Sequence, residues 1–213
     1  MSPPFSEAEF LDVFGSYNRA LWPAVVALWM VTAIMAARWI RRGYGSRSLM
    51  ALLAVHWAWS GIAYHWAYFR VINPSAAAFA IIFAVQALLF SWLAVFSSAR
   101  FRLDRSPRGV IGASLVVYSL AYPFLGIVLG LRLPRMPLFA VPCPTTLLTT
   151  GLLLTASGMP RLAGVVPALW AVIASSAALT LGIWADSMLL ACAALLMVDM
   201  LAPDALGASA GED

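Results

Sequence analysis

This chain carries very little with which to meet water. Charged residues fill 10% of its 213 positions, where an ordinary soluble domain has about 25%. Lysine is absent, so all 13 basic residues are arginine, and there are only two histidines and two cysteines. So small a polar supply cannot cover a water-facing surface, which excludes a soluble fold. Two cysteines exclude a disulfide framework, and no CxxC or histidine-rich spacing marks a zinc or haem-attachment site. No P-loop, HExxH, GxSxG or dinucleotide fingerprint stands where its chemistry would need it. The N-terminal stretch MSPPFSEAEF is acidic and lacks the positive start of a cleaved signal peptide, so the first apolar run is expected to be retained.

What is present is apolar: 63% of the residues, with a mean hydropathy of +0.90. Runs long enough to cross a bilayer, about 18 residues or more, fall near 20–40, 48–69, 76–98, 109–130, 138–157, 162–182 and 185–202. The expectation is an all-α, polytopic transmembrane helix bundle of about seven spans. Six spans plus a re-entrant segment is the alternative, because Pro142 and Pro144 interrupt the fifth run and only Gly182 to Asp186 separate the last two. That many spans leave no room for a nucleic-acid-binding or catalytic domain beside them. Three parts are expected: an interfacial amphipathic helix in 1–19, a transmembrane domain in 20–202, and a short acidic cytoplasmic tail in 203–213. Ser6 and Glu9 have capping-box spacing at the start of the first part, and Phe10, Phe14, Tyr17 and Leu21 share one face of it.

The charges set the orientation. Arg38, Arg41, Arg42 and Arg47 follow the first run, and Arg100, Arg102, Arg105 and Arg108 follow the third with one Asp104. By the positive-inside rule both connections face the cytoplasm, which puts the N-terminus outside. Arg132 and Arg135 are discordant, falling in an outer connection. The spacings Gly126 to Gly130 and Ala178 to Gly182 are compatible with close helix packing.

Polar groups in hydrocarbon cost several kcal/mol when unpaired, so those within spans are where function is sought. On this topology Tyr64, His65, Asn73, Arg132, Cys143, Thr145, Thr146 and Asp186 gather at the outer half as candidate binding or cavity residues, and Tyr17 and Asn18 approach from the N-terminal helix. Trp170 falls toward the inner side. Tyr64 and His65 read equally well as interface aromatics. His56 is about half a turn out of phase with His65 on a regular helix and reads as a hydrogen-bonding group between helices. Two prolines around Cys143 bias Val141 and Cys143 toward extended backbone, so a break is expected there. A helix restarting near Thr145 would aim free N–H groups into a cavity, favouring an anion alongside Arg132 and Arg135. The plainer reading has the prolines stop one helix and the threonines cap the next. Cys143 and Cys192 read as small apolar residues, a soft-metal dithiol pair being the alternative.

Together, Tyr17-Asn18, Trp22-Pro23, Trp57-Ala58-Trp59-Ser60-Gly61 with Tyr64-His65, Ile72-Asn73-Pro74, Tyr122-Pro123 with Gly126, Pro142 to Thr146, Trp170 and Asp186 resemble a bacterial family of integral membrane proteins of unknown function. The resemblance runs from about Phe5 to the last span. It implies a multi-pass protein of the bacterial inner membrane and supplies no activity. A histidine commonly follows the glycine at Gly130 in that family, and this chain has Leu131 instead.

Three functions follow as expectations. The first is a small transporter or channel-like protein, with a site for a polar or anionic solute in the outer half. The second is a membrane-embedded enzyme or redox component using His65, Asp186 and Cys143 on a lipid-borne substrate. The third is a non-catalytic assembly or sensory subunit. No catalytic residue, metal site or cofactor is singled out, and membrane lipid is the one partner expected throughout.

Overall fold

The computed structural model describes residues 5–181 and 183–202, so the expected acidic tail and Gly182 lie outside the described residues. Seven α-helices make up most of it: α1 (Glu7–Arg42), α2 (Arg47–Trp59), α3 (Ala76–Phe96), α4 (Pro107–Val128), α5 (Pro142–Leu154), α6 (Leu162–Leu181) and α7 (Met188–Leu201). Four helical segments are long and apolar enough to cross a membrane by length and composition: α1, α3, α4 and Trp184–Leu201.

The helices expose apolar residues as well as burying them. On α3, Ala80, Phe83, Ala87, Phe90 and Leu93 are buried, while Ile81, Val85, Leu88, Trp92 and Val95 point outward at the same helical period. An outward apolar stripe of this length has no place on a surface facing water.

The lead-in helix and the first run form one element. Ser6 caps it through a capping box with Glu9, and Gly43 closes it in the left-handed conformation (φ 72°). Thirty-six residues span about 54 Å at 1.5 Å per residue, more than the roughly 30 Å hydrocarbon core of a bilayer. The amphipathic start is therefore overhang on a long helix. Pro23 sits inside it, forgoing a single backbone bond.

The second run is also not one regular helix. α2 passes at Ser60 into a π segment, Ser60–Trp66, followed by a 3₁₀ turn at Phe69–Val71. Wider π turns delay the rotation of every later side chain relative to α2. Gly61 lets this segment lie directly on α3, since a Cβ there would stand 3.0 Å from the Phe83 Cβ and 3.1 Å from the Ala80 carbonyl oxygen.

The fifth run corrects the expected break. α5 begins at Pro142, with the prolines in its first turn, where their missing N–H groups forfeit no intrahelical bond. Val141 is extended as the following proline requires, but Cys143 is helical. All of α5 except Cys143 is buried, packed by α2, the π segment, α4, α6 and α7. Its threonines suit that position, because Thr146, Thr149 and Thr150 each donate to the carbonyl four residues earlier and leave no unpaired hydroxyl proton.

Helix α5 meets α4 at two glycines, with a Cβ on either Gly112 or Gly151 falling 2.6 Å from the other's carbonyl oxygen. The expected Gly126 and Gly130 pair does not serve this purpose. Gly126 faces the Met136 side chain, and Gly130, at φ +94°, has nothing near its Cβ position and ends the helix.

At one end of the bundle, the connections after α1, α3 and α5 join in a small antiparallel sheet, β1 (Tyr44–Gly45), β2 (Arg100–Arg102) and β3 (Ala156–Ser157), in that order. Tyr44 pairs with Arg102, and Phe101 pairs with Ala156. Beside the sheet, Arg108 forms an ion pair with Asp199 of α7 and donates to the Leu154 carbonyl at 2.5 Å.

Candidate functional site

The connection between α4 and α5 folds back onto the opposite end of the bundle. Asn18 of α1 donates to the carbonyls of Pro134 (2.6 Å) and Met136 (2.8 Å). Tyr17 donates to the Ala140 carbonyl (3.3 Å) and accepts from the Trp59 indole N–H (2.7 Å). Ser60 is 3.1 Å from the Thr145 hydroxyl, and Trp57 donates to Thr149 at 2.9 Å. Arg135, one of the two arginines discordant with the expected orientation, forms an ion pair with Asp12 at 2.8 Å. The buried donors among these groups are fasteners, each taking an acceptor that would otherwise be orphaned.

Beside this tied end lies a partly open cavity of about 340 Å³. Phe10 and Phe14 of α1 form one wall, Tyr64 and His65 of the π segment another, and the second half of α6 faces them. Cys143 enters from the first turn of α5, and Asp186 from the turn between α6 and α7. The lining is chiefly aromatic. Phe14 stacks on Tyr64 with ring centroids 5.3 Å apart, and Tyr64 stacks on Phe69 at 5.7 Å.

Two features of this lining bear on chemistry. His65 is fully buried, packed edge-on against Trp170 (4.9 Å) and Phe83 (4.7 Å), and neither of its ring nitrogens has a hydrogen-bond partner. The Trp170 indole N–H is unpartnered as well. Asp186, 5% exposed, accepts from Tyr122 of α4 and is within hydrogen-bond reach of the Cys143 thiol. Tyr118, one turn before Tyr122, donates to the Ala185 carbonyl at 2.9 Å, so two tyrosines of α4 hold the Asp186 turn in place.

Of the eight residues singled out from sequence, Tyr64, His65, Asn73, Cys143 and Asp186 border this one cavity. Thr145 and Thr146 do not: they are fully buried behind it, held by Ser60 and by the Pro142 carbonyl. Arg132 is exposed on the α4–α5 connection, paired through its backbone with Arg135, and is absent from the lining. Trp170, expected toward the inner side, stands against His65 instead, because α6 carries it about 12 Å up from Leu162. His56 lies elsewhere, 2.9 Å from Thr32 of α1. The Thr32 hydroxyl already donates to Leu28 (2.7 Å), so it accepts from His56 Nε2–H. Cys192 is buried near Thr150. Among the described residues no group of three or more His, Cys, Asp or Glu could hold a metal ion.

A family of unknown function, DUF6064, matches residues 7–209. The chain belongs to the DUF6064 family. No curated protein and no solved structure matches it. Membership in DUF6064 covers both the tied end and the cavity, and it brings no activity with it.

Proposed function

We propose that this DUF6064 member is a seven-span protein of the bacterial inner membrane, with its N-terminus outside. In this reading it binds a small, mostly apolar molecule in the outer half of the bundle and passes it across or out of the membrane. The observation that carries the binding role is the unpartnered His65 at the cavity wall. A buried imidazole has one N–H and one lone pair to satisfy, and leaving them unmade costs roughly 1–3 kcal/mol each. A ligand entering the cavity supplies those partners once the rings packed over the imidazole shift, because both nitrogens are covered in this structure.

The orientation is supported by charge. Nine of the 13 arginines (Arg38, Arg41, Arg42, Arg47, Arg100, Arg102, Arg105, Arg108 and Arg161) lie at or beside the sheet end, and a surplus of this kind marks the cytoplasmic side. Reporter fusions after Arg47 and after Arg161 are expected to report cytoplasmic. An external result at both would invert the topology.

The lining argues against the anionic solute that the arginines first brought to mind. No arginine borders the cavity. Of the first three residues of α5, two are proline, so Cys143 alone offers a free N–H there. A panel of small apolar and amphipathic compounds tested by calorimetry on the protein in nanodiscs is expected to yield saturable binders. Trp170→Ala and His65→Ala should weaken them at least tenfold, while Trp92→Ala, on the exposed face of α3, should not. Equal affinities in all three variants would remove the cavity from consideration.

A further inference from the structure

The cavity also has a polarity that narrows its ligand. Among the described residues, Asp186 is the one charged side chain in its lining. The remaining described arginines are engaged or distant: Arg135 with Asp12, Arg108 with Asp199, Arg70 over the Trp66 ring, and most of the others at the sheet end. The groups that do reach Asp186 are uncharged donors, the Tyr122 hydroxyl and the Cys143 thiol. Tyr64 borders the same cavity as Cys143 and Asp186, so an aromatic side chain shares the space that the carboxyl faces. Phe14 and Phe69 continue that wall, and His65, Phe79 and Trp170 close the far side.

We propose that the ligand is a lipophilic ammonium, a single positive charge carried on an aromatic or branched aliphatic body. This rests on the cavity being a binding site, as argued above. A carboxylate in a low-dielectric site is accommodated by a counter-cation or a proton, and among the described residues the lining holds no arginine. Ring faces carry the negative end of the aromatic quadrupole and attract weakly hydrated cations, quaternary ammonium above all. A metal ion fits poorly, because a single carboxyl among hydrocarbon rings offers too few oxygen ligands. An anion would meet the carboxyl and the ring faces with the wrong sign. The same carboxyl, taking a proton when the cation leaves, gives a simple exchange in which one charge replaces another.

Phenyltrimethylammonium and tert-butylbenzene have the same shape and differ in charge, so together they isolate the proposal. Equilibrium dialysis against the full chain in zwitterionic nanodiscs, with empty nanodiscs subtracting partition, reads both. The expected result is saturable binding of phenyltrimethylammonium at one site per chain, at least tenfold tighter than the neutral isostere. Benzenesulfonate should not compete. Asp186→Asn keeps an oxygen for the Tyr122 hydroxyl and should lose that tenfold preference, leaving the two probes alike. Equal or tighter binding of tert-butylbenzene by the unaltered protein overturns the ammonium assignment and leaves the cavity standing as a neutral site. Saturable binding of neither probe overturns the assignment, and if the wider panel also fails, the binding role falls with it. The comparison of the two probes on the unaltered chain decides the matter even if Asp186→Asn fails to fold.

Discussion

Adding one methyl group at Gly151 should do more harm than its size implies. Its Cβ would lie 2.6 Å from the Gly112 carbonyl oxygen and 2.9 Å from both the Val116 backbone nitrogen and its Cγ2. Ordinary contact begins at 3.4 Å, so at 2.6 Å the shortfall is about 0.8 Å. The obstructing atoms are mainly backbone of α4, which cannot rotate away, so the helices must part. A gap of that order forfeits a quarter to a half of each dispersion contact along the crossing, and overpacking of this kind costs about 1–3 kcal/mol. Alanine returns roughly 1 kcal/mol of helix propensity, leaving Gly151→Ala destabilising by up to about 2 kcal/mol. Gly164→Ala is the control, because the nearest atom there is the Met200 sulfur at 3.2 Å, the end of a flexible side chain. It should be neutral or slightly stabilising. Unfolding of both variants in the same detergent measures the difference. If Gly151→Ala proved as stable as Gly164→Ala, the close crossing of α4 and α5 would be refuted. Parting the helices also displaces Tyr118 and Tyr122, so Gly151→Ala should weaken ligand binding although it touches no ligand.

Two further substitutions probe the tied end and the first helix pair. Asn18→Leu removes both bonds to the α4–α5 connection and strands two carbonyls, so it should cost about 1–3 kcal/mol and open residues 131–137 to proteolysis; unchanged cleavage would show that the connection is held by other means. For the Thr32 and His56 contact, a double-mutant cycle with Thr32→Val and His56→Leu should give a coupling of about 0.6 kcal/mol and no more than about 1.7, the range found for side-chain hydrogen bonds in membrane bundles. A coupling of zero would mean that the two side chains do not share a bond.

Helix positions were readable because long apolar runs leave few alternatives: the runs at 76–98 and 162–182 became Ala76–Phe96 and Leu162–Leu181. Events inside a run were not. The π segment changes the phase of Tyr64 and His65 by a hydrogen-bond shift that residue types do not encode, and it invalidates angles counted on a regular helix. The Pro-x-Pro pair was ambiguous between breaking and starting a helix, since proline is unfavourable in one place and welcome in the other. The residues that hold the Asp186 turn beside the cavity had weaker signals. Tyr118 and Tyr122 are spaced one turn apart on one face of α4, which could have marked them as a clamp. The inner placement expected for Trp170 fails because α6 climbs about 12 Å from Leu162 before reaching it. The strands of the small sheet are two or three residues long, too short for any alternation to show.

A different distinction separates the polar residues from one another, and it depends on partners more than on position. Tyr17, Asn18, Trp59, Ser60, Thr145 and Asp186 were all drawn to one end of the bundle by topology. Tyr17 and Asn18 close on carbonyls of a connection that has no regular structure to satisfy it, and Ser60 and Thr145 close on each other. Their donors are taken up within the chain. His65 and Trp170 reach the same depth and close on nothing, while Asp186 closes only on uncharged donors. In a chain with so few polar groups to spend, a buried nitrogen without a partner and a carboxyl without a counter-charge, bordering one cavity, define the chemistry of what enters it: an apolar body to lie on the rings, and a positive charge to meet Asp186.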